Sequence, residues 1–241
     1  MTEDSVYLFD MDGTLTPARL PMTDEFSTVF KPWLQTHTAY IATGSDFKKV
    51  QEQIPEEIIS CFSGVYCSMG NFLWSKGSVV YCNKFAEDPK LDAILDGYRK
   101  NTKYPYQLFD NYIEKRPGMI NFSVLGRDCP YEERNRYNAW DKENHERLMI
   151  KEQLLKTFGE KYEVAVGGSI SIDITPTGLG KGQVARKVRE NYPQSTIVFF
   201  GDKTMLGGND YELAQALRQM DDNTKVVQVE GPEEVCSVLK L

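Results

Sequence analysis

The sequence predicts an α/β chain: a doubly wound, mostly parallel sheet interrupted in its middle by an insert of α+β texture. Three observations predict it. Short apolar runs alternate with helically spaced apolar residues up to about residue 70, antiparallel signals replace them from about residue 71, and the parallel texture returns from Lys181. A chain of 241 residues is long enough to bury one full core and a smaller inserted one.

The elements follow in order. Val6–Phe9 reads as a first buried strand, and Phe26, Val29, Phe30, Trp33 and Leu34 recur at helical spacing before a second strand at 38–43. Ser45 and Asp46 cap a helix that carries Phe47, Val50 and Ile54, and Gly64–Cys67 makes the third strand. Asn71–Trp74 and Val79–Cys82 flank Ser-Lys-Gly-Ser, which is a hairpin signal. In the insert, Leu91, Ile94, Leu95 and Tyr98 share a helix face. Tyr112–Lys115 and Ile120–Leu125 are strands joined through Arg116-Pro117-Gly118, and residues 131–158 read as one long polar helix. Tyr162–Val166 and Ser169–Ile174 pair around Gly167-Gly168. A helix at 181–191, a strand at 197–200, a helix at 209–217, a strand at 226–229 and a helix near 233–239 complete the chain. The segmentation is therefore a core of residues 1–82 and 178–241 around an insert of residues 83–177.

Composition narrows the chemistry. A formal charge of −7 with scattered basic residues speaks against a nucleic-acid partner. No apolar run approaches a membrane span and no signal sequence is evident, so a cytoplasmic location is expected. Five cysteines form no C-x-x-C pair and read as reduced thiols. With only His37 and His145, a His-rich metal site is excluded, and any metal should be hard and oxygen-bound.

The first strand ends in Leu-Phe-Asp-Met-Asp-Gly-Thr, which places Asp10 at the carboxyl edge of the sheet and turns Asp12 back toward the same space. One carboxylate can attack phosphorus while the other moves a proton. Four segments should converge there: Asp10 and Asp12, Thr43-Gly44-Ser45, Lys181, and the run 201–210 with Asp202, Asn209 and Asp210. Asp10 and Asp202, with the Asp12 carbonyl, are the expected Mg2+ ligands, backed by Asn209 and Asp210. Lys181 supplies a point cation and Thr43 or Ser45 a hydroxyl for phosphate oxygens, although either hydroxyl equally suits a helix cap.

These motifs resemble the haloacid dehalogenase-like phosphotransferases, whose first Asp becomes phosphorylated. The resemblance implies a Rossmann-like core with an inserted α+β cap. Further runs narrow it: Gly-Ser-Asp-Phe-Lys-Lys-Val-Gln-Glu-Gln at 44–53, Arg116-Pro-Gly-Met-Ile-Asn, Leu-Gly-Arg127-Asp-Cys, Glu-Glu-Arg134, Gly-Gly-Ser-Ile-Ser171-Ile-Asp173, and Phe-Phe-Gly-Asp-Lys-Thr-Met at 199–205. In order and spacing they resemble the eukaryotic-type phosphomannomutases. That likeness implies that Arg116, Arg127, Arg134 and Ser171 bind a distal phosphate, that Asp173 grips sugar hydroxyls, and that Arg19 reaches toward substrate. It implies Asp10 as nucleophile, Asp12 as general acid/base, hexose phosphates as substrates, a hexose 1,6-bisphosphate as activator, and a homodimer through the cap. The chain departs from the family at Thr43-Gly44-Ser45, where Gly-Gly-Ser is usual, and at Ser68-Met69-Gly70-Asn71, where Glu-Asn-Gly is usual. A sugar-phosphate phosphatase of the same fold is the alternative.

Overall fold

The computed structural model describes residues 5–241. The chain runs β1 (Ser5–Phe9), α1 (Asp24–Leu34), β2 (Thr38–Ala42), α2 (Phe47–Gln53), α3 (Glu56–Ile59), β3 (Gly64–Cys67), β4 (Phe72–Ser75) and β5 (Ser78–Cys82). It continues through α4 (Pro89–Lys100), β6 (Ile113–Arg116), β7 (Met119–Phe122), α5 (Tyr131–Asn144), α6 (Glu146–Phe158), β8 (Tyr162–Gly167) and β9 (Ser171–Pro176). The last stretch is α7 (Gln183–Asn191), β10 (Thr196–Gly201), α8 (Tyr211–Arg218), β11 (Thr224–Gln228) and α9 (Pro232–Leu239). Two compact units result, one reaching to Asn83 and resuming at Leu179–Leu241, the other Lys84–Gly178.

The first unit holds a seven-stranded sheet in the order β11-β10-β1-β2-β3-β4-β5. The five strands from β11 to β3 are parallel, and β4 and β5 extend the sheet as an antiparallel hairpin. Parallel strands buried on both faces need apolar side chains in both directions, and β1 meets this by alternation. Tyr7 and Phe9 pack with Phe30, Ile41, Val65 and Phe200 on one face, while Val6 and Leu8 pack with Val184, Phe199, Leu213 and Leu217 on the other. Strand order reverses beside β1, because the chain proceeds from β1 to β2 and β3 on one side and returns as β10 and β11 on the other. The crevice at the carboxyl ends of β1 and β10 is therefore the topological switch point, where open α/β sheets bind ligands.

The second unit is an antiparallel sheet, β6-β7-β9-β8, with α4, α5 and α6. Ile120, Phe122, Ile172 and Ile174 pack into its core with Leu91, Leu95, Tyr137, Ile150 and Leu154. The intervening residues carry a polar row in strict register: Glu114 lies opposite Asn121, and Asn121 opposite Asp173. Trp140 packs on Tyr104 and Tyr137 within this core.

The sequence expectation of one helix over 131–158 is corrected. Helical residues continue on both sides, but His145 takes a left-handed conformation (φ 55°) and divides α5 from α6. Asp141 stabilises the break by accepting from the Arg147 backbone N–H (2.9 Å) and Nε (2.7 Å), so a first-turn amide of α6 is satisfied by a side chain. The expected helix at 181 starts instead at Gln183, which leaves Lys181 in a turn.

Gly126 leads into Arg127 at φ +92°, and a Cβ there would lie 2.0 Å from the Phe109 carbonyl oxygen. Gly97, within α4, has open space around its missing Cβ. Gly126→Ala should lower Tm in scanning calorimetry by several degrees, corresponding to about 2 kcal/mol or more, whereas Gly97→Ala should raise stability by up to about 1 kcal/mol.

Candidate active site

Asp10 follows β1 directly, and its backbone N–H continues the ladder to the Phe200 carbonyl at 2.8 Å. Asp202 follows β10, the neighbouring strand. Gly13 permits their approach: it sits at φ +85°, and a Cβ there would lie 2.6 Å from Asp202 Oδ2. Lys181 is fully buried and donates from Nζ to Asp10 Oδ1 (2.6 Å) and Asp210 Oδ1 (2.5 Å). Carboxylate oxygens of Asp10, Asp202 and Asp210 all lie within 4.8 Å of one another.

The electrostatics follow from burial. Desolvation, then the Asp210 carboxylate, push the Asp10 carboxyl up to about 8 even though Lys181 opposes the shift. Burial also raises Asp202. Desolvation alone would lower Lys181, but Asp10 and Asp210 outweigh it and hold the ammonium charged. Asp10 Oδ2, Asp202 Oδ1 and Asn209 Oδ1 are buried and accept no hydrogen bond among the described residues. Unsatisfied buried oxygens on crowded acids are costly, and a hard divalent cation would satisfy them.

The carboxylates in reach of one point are thus those of Asp10, Asp202 and Asp210. Asp210, expected behind the metal, joins the cluster. The Asp12 carboxylate stands outside it because Oδ1 is turned to the Arg19 backbone N–H (2.7 Å) and Gln53 Nε2 (3.1 Å). Arg19, at φ 67°, meets the acid through its backbone. Asp46, rather than Ser45, caps α2 by accepting from Lys49 N–H at 2.8 Å. Ser45 N–H donates to Thr43 Oγ1 (3.1 Å), which leaves the Thr43 O–H able to donate to an anion.

In the second unit the polar row becomes a network. Glu114 Oε2 accepts from Arg116 Nη2 (2.6 Å) and from Arg127 Nε (2.5 Å). Arg127 Nη1 donates to Asn121 Oδ1 and to Ser171 Oγ (2.8 Å), and Asn121 Nδ2 donates to Asp173 Oδ1 (2.5 Å). Arg134 Nη2 donates to the Arg127 carbonyl at 2.6 Å. Arg116, Arg127, Arg134, Ser171 and Asp173 are therefore assembled in one cluster. Its acid partner is Glu114, which pairs two of the guanidinium groups and orients both forks. Of the acids adjacent in sequence, Glu133 pairs with Arg136 (2.7 Å) and Asp128 accepts from Asn111 (3.4 Å).

The sequence pattern described as eukaryotic phosphomannomutase matches residues 29–240. The chain belongs to the eukaryotic phosphomannomutase family. A Caenorhabditis elegans protein named probable phosphomannomutase is 35% identical over 242 residues, covering 95% of this chain and 92% of that protein. The phosphomannomutase of Saccharomyces cerevisiae is 32% identical over 243 residues, covering 98% and 93%. Among solved structures, a Plasmodium falciparum IMP-nucleotidase superposes with a TM-score of 0.65 at 16% identity, over 98% of this chain and 67% of that one. A trehalose-6-phosphate phosphatase related protein gives 0.53 at 18% identity, over 98% and 95%. The two structural likenesses establish the haloacid dehalogenase-like fold.

For a phosphomannomutase-family chain, the departures at 43–45 and 68–71 have a structural reading. Ser68 and Met69 both take positive φ (50° and 60°), which is costly for residues with a side chain. Their N–H groups donate to the Ser45 carbonyl (2.9 Å) and the Thr43 carbonyl (3.1 Å), so this turn braces the loop after β2. Asn71 Nδ2 holds the turn from behind through the Ser68 carbonyl (3.0 Å) and reaches the Leu179 carbonyl (2.9 Å).

Sequence reading missed Glu114 and Asn121. The available signal was a polar residue at the centre of an apolar strand, Met-Ile-Asn-Phe, and its cross-strand partner in Ile-Glu-Lys-Arg.

Asp10 titrates above its unfolded value, so without a cation its ionisation costs stability as pH rises from about 4 toward 8. Saturating Mg2+ should therefore raise Tm more at pH 8 than at pH 5. The increase should vanish in Asp202→Asn, as read by differential scanning fluorimetry.

Proposed function

We propose that this chain interconverts mannose 1-phosphate and mannose 6-phosphate by passing a phosphoryl group through Asp10, with a hexose 1,6-bisphosphate as activator. The observation that carries it is the cluster of buried Asp10, Lys181 and Asp210 with partly buried Asp202 at the switch point of the sheet, in a chain of phosphomannomutase family. Asp10, Asp202 and Asp210 would hold Mg2+. When bound, the ion screens the acids and neutralises charge on the transferring phosphoryl group.

Asp10 attacks the phosphorus of the bisphosphate. The P–O bond to the sugar breaks as Asp12 delivers a proton to the departing oxygen, leaving an aspartyl phosphate and a hexose monophosphate. The monophosphate then presents its other hydroxyl. Asp12 takes that proton, a new P–O bond forms, and the electron pair of the acyl phosphate returns to Asp10. Lys181 stabilises the charge on both passes, and Thr43 donates its hydroxyl to a phosphoryl oxygen. The guanidinium forks of Arg116, Arg127 and Arg134 suit the phosphate that is not reacting, with Ser171 as a further donor and Asp173 accepting from sugar hydroxyls. A phosphatase needs no such second anion cluster, which favours the mutase reading. Thr43, where the family usually has Gly, favours hydrolysis as the competing outcome.

Phosphorus NMR of mannose 1-phosphate with Mg2+ should show mannose 6-phosphate only when catalytic bisphosphate is added, with glucose 1-phosphate run alongside. Arg127→Ala should reduce that flux at least tenfold. Inorganic phosphate as the main product, unaffected by Arg127→Ala, would establish the phosphatase.

A further inference from the structure

Gln53 closes α2 and is 3% exposed, yet the reaction scheme above gives it no task. Its Nε2 lies 3.1 Å from Asp12 Oδ1, 3.2 Å from Thr16 Oγ1 and 3.2 Å from the Leu20 carbonyl. Its backbone carbonyl accepts from the Met22 N–H at 2.7 Å, and the side-chain Oε1 is buried with no hydrogen-bond donor among the described residues. The chemistry of these neighbours sets the amide's orientation. The Leu20 carbonyl can only accept, an ionised Asp12 can only accept, and Thr16 already donates its hydroxyl proton to the Met11 carbonyl at 3.2 Å. The reversed amide would set Oε1 against these acceptors. The Arg19 backbone N–H reaches the same Asp12 oxygen at 2.7 Å. Two N–H donors, one from α2 and one from the loop after β1, therefore converge on Oδ1.

We propose that Gln53 is a positioning residue for Asp12 that determines which carboxylate oxygen carries the proton, a proposal that rests on the reading of Asp12 as general acid/base. An oxygen accepting two N–H bonds has no lone pair free for a proton, so the proton resides on Oδ2. The arrangement serves both protonation states, because the carbonyl oxygen of a carboxylic acid accepts hydrogen bonds as the carboxylate does. In the first half-reaction the Oδ2–H bond breaks, the proton goes to the departing sugar oxygen, and the Oδ2 electron pair stays on Asp12. In the second half-reaction the incoming hydroxyl gives its proton to the same Oδ2. One fixed oxygen thus serves two hydroxyls in turn, and no reorientation of the acid intervenes between them.

The test compares leaving groups. Gln53→Met keeps side-chain length and removes the donor. Asp10 phosphorylation is followed by rapid quench, with a hexose 1,6-bisphosphate, whose leaving oxygen needs a proton, and with 4-nitrophenyl phosphate, whose leaving group departs as a stable anion. Gln53→Met should slow transfer from the bisphosphate at least tenfold with KM changed less than threefold, and slow transfer from 4-nitrophenyl phosphate less than threefold. Asp12→Asn should show the same selectivity. Equal losses on both substrates, or none on either, would overturn the proposal. If Gln53→Met fails to fold, the Gln53 side-chain amide is observed in 15N-labelled wild-type protein and in Asp12→Ala. A shift of that amide signal supports the contact, and an unmoved signal overturns it. Wild-type protein that accepts phosphate from 4-nitrophenyl phosphate but not from the bisphosphate contradicts the mutase reading, and the amide signal then still decides whether Gln53 holds Asp12.

Discussion

Much of this molecule is arranged around one unfavourable placement: the Asp10 and Asp210 carboxylates and the Lys181 ammonium are withdrawn from water beside the partly buried Asp202, where two adjacent parallel strands end. Taking each charge out of solvent costs several kcal/mol, and only mutual pairing or a bound cation offsets it. Lys181 pairs with two of the acids, and the buried oxygens that remain unsatisfied are the ones suited to a divalent ion. The surrounding features serve this arrangement. The sheet reverses strand order beside β1, the missing side chain of Gly13 admits Asp202, and apolar packing on both faces of β1 and β10 keeps the strands that carry Asp10 and Asp202 from shifting.

The second unit solves a related problem by different means. Under the proposed function, guanidinium groups that take the second phosphate must be aimed before the ligand arrives. Glu114 does this for Arg116 and Arg127, and the register of β6, β7 and β9 continues the row through Asn121 to Asp173. A one-residue slip in any of these strands would send the polar row into the apolar core, so the same pairing that builds the sheet also fixes the cluster.

Sequence reading could place Asp10 and Asp202 because each follows an apolar run, and the sheet edge is where such a run must end. It could separate core from insert because the period of the apolar pattern changes. Side-chain direction was beyond it. Asp210, expected behind the metal, stands in the carboxylate cluster, and the Asp12 carboxylate is held by Arg19 and Gln53, contacts that depend on the path of the loop after β1. Glu114 lies in no motif and Asn121 only closes the run Arg116-Pro-Gly-Met-Ile-Asn, and the roles of both arise from cross-strand register. The break at His145 escaped because the residues on both sides favour helix, and the reason for the break is a tertiary contact between Asp141 and Arg147.

The proposed function turns on Asp10 carrying the phosphoryl group between substrate oxygens. Acid-quenched enzyme, taken during turnover of the bisphosphate and digested, measures this directly by mass spectrometry. A phosphoryl mass is expected on the peptide containing Asp10, discharged when hexose monophosphate is added before the quench. Turnover with no phosphorylated aspartate, or with the group on another residue, would contradict it.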